Sequence, residues 1–307
     1  MSNFNNDEYK ALVTDLIGDV FYTNTSYRGK IATIRQYAEV IVRKILDLKT
    51  DEKIMLGQNN IQRSINSLPN HEYLENALKK IREEGNKSIH SQHLENVSEK
   101  EFNDIVDSLF IMLSFLLINY FDKYEFGSKN NILRSFSLLP PIIRYKVLIF
   151  LYEKYPDNIA IIDKLVLSIM KAFSIEEATI WAEQQKGKLI QLDTISQKAF
   201  NELVEKQGLE IALFIKSQGP QNMYDLCTEK INTLGPKLNE CISYSDFESA
   251  LPYYKMYGKI TDNTLEADEF NDIMEFLYLG RKEAFDKLSN QNNPISILNY
   301  LSKIYKA

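Results

Sequence analysis

Ser98-Glu-Lys-Glu-Phe-Asn-Asp-Ile-Val-Asp-Ser-Leu-Phe-Ile-Met-Leu-Ser-Phe-Leu-Leu-Ile-Asn-Tyr-Phe121 is the stretch on which the fold turns. Ser98 with Glu101 has the spacing of a capping box, in which each side chain satisfies the other residue's orphan N–H at a helix start. The 17 residues from Ile105 to Phe121 are then apolar on most sides, interrupted only by Asp107, Ser108, Ser114 and Asn119. A membrane span needs roughly 20 apolar residues, so this reads as a core helix. A helix apolar nearly all round must be wrapped by others, which predicts an all-α bundle.

The flanking sequence supplies the wrapping helices. Leu12, Val13, Leu16, Ile17, Val20 and Phe21 form a first amphipathic segment, preceded by Asp7 and Glu8, whose charges suit a helix N-terminus. From about Ser26 to Leu48, Ile31, Ile34, Ala38, Ile41, Ile45 and Leu48 make an apolar seam, while Arg35, Glu39 and Arg43 stack at a spacing of four on another face. A short helix follows over Ile61 to Leu68. Another begins near His71 with Leu74, Leu78 and Ile81 inward, and Gly85-Asn86 is expected to end or break it, since both residues tolerate left-handed backbone.

Ser128 to Asn131 reads as a boundary, giving a bundle over residues 1–127 and a second domain over 128–307. In the second part helices are shorter and separated by Pro140-Pro141, Pro156, Gly187, Gly208, Gly219-Pro220, Gly235-Pro236, Gly258, Gly280 and Pro294. Ser174/Glu177, Thr194/Gln197 and Ser245/Glu248 are further capping boxes. Stacked helical hairpins, solenoid-like, are the predicted arrangement. The pairs Ser174/Glu177 and Ser245/Glu248 recur with Gly-Lys at a common offset, but two copies do not establish a repeat family.

Composition narrows the function classes. Net charge is −6, with 36 basic and 42 acidic residues over 307 positions. Neither half is basic, so strong duplex DNA binding through phosphate neutralisation is not expected. Cys227 and Cys241 fit no zinc pattern and read as buried thiols of a reducing cytosol. The first residues lack the basic-then-apolar succession of a signal peptide, so a cytoplasmic location is expected. No P-loop, dinucleotide fingerprint or nucleophile elbow occurs. Nothing in the chain implies a cofactor or a metal.

All three histidines, His71, His90 and His93, fall in one short region, with Arg82, Gly85 and Asn86 between them. Imidazole is the side chain whose ordinary pKa lies nearest neutrality, so proton transfer has few other candidates. The order Ile81-Arg82-Glu-Glu-Gly85-Asn86-Lys-Ser-Ile-His90, after an early helix bearing Arg35, Glu39 and Arg43 and before the capped helix at Ser98, resembles the HEPN superfamily. The likeness is to the branch with Arg-x-x-Gly-Asn-x-x-x-His, found in prokaryotic defence and restriction systems. It covers residues 1–127 only.

The resemblance implies a metal-independent endoribonuclease of an anti-phage defence or toxin system. Arg82 would steady charge on the phosphorane, His90 would move the proton and Asn86 would orient either group. It also implies a homodimer that brings two motif segments together beside a two-fold axis, with the C-terminal helices sensing a trigger or docking a partner.

Seven residues separate Arg82 from His90, against four to six in the usual superfamily signature. On an unbroken helix that offset sets them about 80° and 12 Å apart, so they converge only if the chain turns at Gly85. Glu83 and Glu84 add negative charge next to an RNA backbone. Spacing and charge together support a second class, a catalytically silent HEPN-like scaffold or adaptor assembling with a separate effector.

Structural roles stand beside these: Arg82 pairing with Glu39, Gly85-Asn86 shaping a turn, His90 capping a helix. Tyr253, Tyr254 and Tyr257 with Lys255 and Lys259 suit either base stacking or packing.

Overall fold

A computed structural model describes residues 2–89, 96–238 and 244–283, and among these the chain is helical, with no strand. Helix α1 (Asn6–Ile17) starts at Asn5, whose side chain accepts from the Asp7 N–H, and runs on into a π-helical turn at Gly18–Tyr22. Helix α2 (Tyr27–Ile45) starts where the Ser26 hydroxyl accepts from the Gly29 N–H. Then follow α3 (Asn59–Asn66), α4 (His71–Ile89) and α5 (Glu99–Lys123). The box expected at the start of α5 is formed in both directions: Ser98 accepts from the Glu101 N–H, and the Glu101 carboxylate accepts from the Ser98 N–H.

Beyond it lie α6 (Asn130–Phe136), α7 (Pro141–Lys154), α8 (Ile159–Ala172), α9 (Ile175–Leu189) and α10 (Gln197–Gln207). The last four described helices are α11 (Leu209–Gln218), α12 (Met223–Leu234), α13 (Phe247–Tyr257) and α14 (Leu265–Tyr278). Of the further boxes, Ser174 does accept from the Glu177 N–H. The other two starts lie one or two residues later than expected. Ser196 caps α10 while the Thr194 hydroxyl donates to the Pro220 carbonyl, and the Asp246 carboxylate accepts from the Ser249 N–H at α13. A Ser or Thr caps only if its backbone is extended at the point of entry, and sequence spacing does not report that.

The chain divides into two compact units, residues 1–136 with 257–281, and residues 137–256 with the C-terminal residues from 282. In the first, α5 is the core that its composition demands. It is long and apolar enough to cross a membrane, yet 67% of its most apolar window is buried inside the protein. Helices α2 and α4 pack against each other and both pack on α5. Leu109, Leu113, Phe115 and Leu117 are fully buried, and each such side chain contributes roughly 1.5–3 kcal/mol on removal from water.

The division differs from the one read at Ser128, because α14 returns to the first unit. Phe270 on α14 lies 5.1 Å from the Tyr120 ring, and the Tyr120 hydroxyl donates to the Glu266 carbonyl. The buried Lys44 ammonium reaches Asp272 at 2.6 Å and sits over the Phe4 and Phe276 rings. After α14, Gly280 takes a positive φ of 75° against α1. A Cβ there would stand 2.8 Å from the Thr14 Cα, so only glycine fits.

The second unit is built from packed hairpins. Helix α8 lies between α7 and α9, and α12 closes on both α8 and α9. Asp163 on α8 accepts from Lys230 on α12 and from Lys164. Burial by itself raises this carboxyl, but the two ammonium groups and their hydrogen bonds outweigh it and hold Asp163 below the usual carboxylate range. Cys227, fully buried beside this pair, has its thiol pushed up to about 12, mainly by burial and then by the Asp163 charge. Helices α10 and α11 form a separate hairpin.

Candidate functional site

Helix α4 does not break at Gly85. It is continuous from His71 to Ile89, and Gly85 is buried on the same stripe as Leu74, Leu78 and Ile81. The expected turn is therefore corrected, and the physical reason lies across the interface. A Cβ on Gly85 would meet the Cβ and Cδ of Arg35 at 2.6 Å and its Cγ at 2.9 Å. The methylene stem of Arg35 lies where a side chain at 85 would be. Glycine is present because α2 and α4 cross too closely at this point for any other residue, and the helical backbone there needs no positive φ.

The crossing arranges the charges around it. Arg35 is four-fifths buried, at 20% side-chain exposure, with its Nη1 3.5 Å from the Glu39 carboxylate and its Nε buried without a hydrogen-bond partner. Burial raises the Glu39 carboxyl, and the nearby Arg35 and Arg43 guanidinium groups only partly offset this. Arg43 is engaged elsewhere. It donates to the Lys49 carbonyl and, at 2.6 Å, to the Glu52 carbonyl, which ties the segment after α2 to the helix. The pairing of Arg82 with Glu39 considered above is not formed, because Arg35 takes Glu39.

Arg82 is the accessible arginine of the motif, at 28% side-chain exposure, with its Nη2 3.9 Å from the carboxylate of its neighbour Glu83. Its stem passes Gly57, whose added Cβ would stand 3.8 Å from the Arg82 Cδ, an ordinary contact. Asn86 lies one helical turn further on and is exposed, so the guanidinium and the carboxamide share one stripe of α4. Beside them Lys87 holds Glu84 at 2.7 Å, a hydrogen bond that raises the lysine above its ordinary value.

His90 and His93 lie outside the described residues. The helix carries the chain about 10 Å along its axis between Arg82 and Ile89, the residue before His90. His71 belongs to the start of α4, with Nδ1 3.2 Å from the Leu68 carbonyl and Nε2 3.8 Å from the Glu72 carboxylate. Among the described residues no group of three or more His, Cys, Asp or Glu side chains is placed to hold a metal ion.

The tyrosines Tyr253, Tyr254 and Tyr257 all lie on α13. Tyr253 is buried, its ring 6.0 Å from Tyr244, while Lys255 pairs with Glu283 at 2.6 Å and Lys259 with Glu275 at 3.8 Å. Tyr253 thus serves packing, and the two lysines serve surface ion pairs.

Comparison of the chain with known protein families, with curated proteins and with solved structures finds no match. The functional reading therefore rests on residues and geometry. The arrangement offers a hydrogen-bonding stripe, Arg82 and Asn86, on a helix locked to α2 by the Gly85 crossing. Arg35 pairs with Glu39 at the four-residue spacing visible in the sequence; Arg82 is the residue that sequence reasoning gave the wrong partner, and Gly85 the one it gave the wrong role. A signal for it existed: Leu74, Leu78, Ile81 and Gly85 follow one another at spacings of four, three and four, which puts the glycine on the buried face.

Proposed function

We propose that the first unit is a HEPN-like bundle acting as an assembly module in a prokaryotic defence or toxin system. In this reading the single chain is silent in RNA cleavage and docks a separate effector protein. The observation that carries it is the Gly85 crossing. The glycine of the Arg-x-x-Gly-Asn motif holds two helices in close contact within an unbroken α4, and so does not supply the turn that would fold His90 back towards Arg82. Proton transfer and charge stabilisation need both groups around one phosphate, within hydrogen-bond reach of the reacting oxygens. A stripe of Arg82 and Asn86 backed by Glu83 and Glu84 is better suited to hydrogen-bonding another protein's backbone or carboxylates.

The test uses the full-length chain with mixed RNA in chelator, its mass followed by light scattering. The expected outcome is intact RNA, and a complex of fixed stoichiometry when the chain is co-expressed with the product of an adjacent gene. Metal-independent cleavage that His90→Ala abolishes, with helical signal and melting temperature retained, overturns the assembly reading.

A second reading, the endoribonuclease, is favoured by one observation: Arg82 and Asn86 are both accessible and one turn apart. It requires a homodimer in which His90 of one copy meets Arg82 of the other. Its signature is cleavage that rises with dimer fraction and is lost in Arg82→Ala. A chain that stays monomeric at micromolar concentration and leaves RNA intact removes it.

A further inference from the structure

Helices α10 and α11 form an arm inserted between two helices that already pack on each other. Helix α9 ends at Leu189 and α12 starts at Met223, and the two are in direct contact. Hydrogen bonds close the arm at its root. The Met223 N–H donates to the Leu192 carbonyl at 2.9 Å, the Thr194 hydroxyl to the Pro220 carbonyl at 3.0 Å, and the Lys216 ammonium to Asp193 at 2.8 Å.

Beyond the root, the apolar side chains of the arm are open. Leu209, Ile211, Leu213, Phe214 and Ile215 of α11 are between 41% and 64% exposed, and Ala212 is its one buried residue. At 100° per residue these five side chains occupy an arc of roughly 240° around the helix axis. A helix apolar that far round is an inner helix, and α11 is one without an outer layer. Helix α10 is of the outer kind: Phe200, Leu203 and Val204 are partly buried on one stripe, while Asn201, Glu202, Glu205 and Lys206 are exposed. Single exposed leucines are ordinary, but a contiguous set on one helix marks a surface that something covers.

Size and charge point to a second copy of this chain as the cover. At roughly 150–200 Å² for each large apolar side chain, those exposures leave about 400–500 Å² of apolar surface per copy. Pairing two such faces, with the polar side chains that flank them, removes about 1,200 Å² in total, where stable interfaces begin. Residues 197–218 carry Lys198, Lys206 and Lys216 against Glu202, Glu205 and Glu210, so the arm has no net charge to repel its own copy. The same balance leaves it without the basic face that draws an amphipathic helix to anionic lipid. Every copy presents the same open face, and an isologous two-fold contact covers both at once.

We infer that the chain forms a homodimer through α11, with two α10–α11 arms packed as a four-helix bundle, the antiparallel α11 pair inside and the α10 helices outside. The two-fold axis passes near Leu213, so that Ile211 meets the partner's Ile215 with Phe214 beside them. This inference is independent of the reading of the first unit.

Sedimentation of the full-length chain from submicromolar to high micromolar concentration, with hydrogen exchange read by mass spectrometry across the same series, tests it. The expected result is a monomer–dimer equilibrium in which protection of residues 209–215 rises with the dimer fraction. Phe214→Asp should weaken the dimer by at least about thirtyfold, the fold-change of an interface hot spot, and Ile211→Asp should do the same. Leu12→Asp, at an exposed apolar position on α1, should leave the dimer unchanged. All three side chains are exposed, so the helical signal should remain in each variant.

A chain that stays monomeric throughout, or a dimer that Phe214→Asp and Ile211→Asp leave intact, overturns the proposal. Protection of 209–215 in the monomer also overturns it, since the arm would then be covered within its own chain. So does a monomer that co-sediments with phosphatidylserine vesicles and loses this in Phe214→Asp, which would make a lipid surface the cover.

Discussion

Replacing Gly85 by alanine tests the α2–α4 crossing directly. The added methyl would stand 2.6 Å from the Arg35 Cβ and Cδ and 2.9 Å from its Cγ. Carbon atoms rest at about 3.5–4.0 Å, so something must yield by roughly 1 Å. The Cδ can swing away, but the Arg35 Cβ is fixed to the α2 backbone, so the helices themselves must part. Overpacking of this kind costs about 1–3 kcal/mol, and a clash with a backbone-anchored atom belongs at the upper end.

Against this, alanine is a better helix former than glycine by about 1 kcal/mol. The net expectation is a loss of about 2 kcal/mol, which for a unit of this size lowers the melting temperature by about 4–8 °C. Urea unfolding followed by circular dichroism measures it. A cycle with Arg35→Gly isolates the cause, because in that background Gly85→Ala should stabilise by about 1 kcal/mol, a coupling of about 3 kcal/mol. Arg35→Ala should rescue only in part, since its Cβ remains. If Gly85→Ala is neutral or stabilising in the wild-type background, the close crossing is refuted, and with it the structural role assigned to the motif glycine.

Three further outcomes follow from other parts of the molecule. Gly280→Ala combines a left-handed backbone position with a Cβ 2.8 Å from the Thr14 backbone, so it should cost at least about 2 kcal/mol in urea unfolding, and a change within error would deny the docking of α14's end on α1. Asp163 is held below its unfolded pKa, so its contribution is present above about pH 4 and is lost as pH falls through the lower folded value. Unfolding of the second unit should steepen below pH 4, and Asp163→Asn should flatten that slope. In a Cys241→Ser background the Cys227 thiol, raised to about 12 and fully buried, should resist alkylation at pH 8 until denaturant is added, whereas reaction in the native state would contradict its burial.

The all-α class, the position of α5 and the starts of α2 and α5 were legible because they depend on local periodicity and on side chains reaching backbone groups within a turn. Ser98 and Glu101 carry their partner three residues away, so the sequence alone determines that box. Leu109, Leu113 and Leu117 announce a buried helix whichever elements cover it. Gly85 is of another kind. A glycine that turns a chain and a glycine that admits a neighbour look the same in sequence, and only the passage of Arg35 across α4 distinguishes them. Glu39 stands between the two cases: its pairing with Arg35 four residues earlier on α2 is written in the local spacing, and only packing decides that Arg82 pairs elsewhere. Residues 257–281 join the first unit through Phe270, Asp272 and Gly280, partners separated in sequence from Tyr120, Lys44 and Thr14 by well over a hundred positions. Such contacts form between surfaces that no local pattern encodes, so tertiary packing alone decides them.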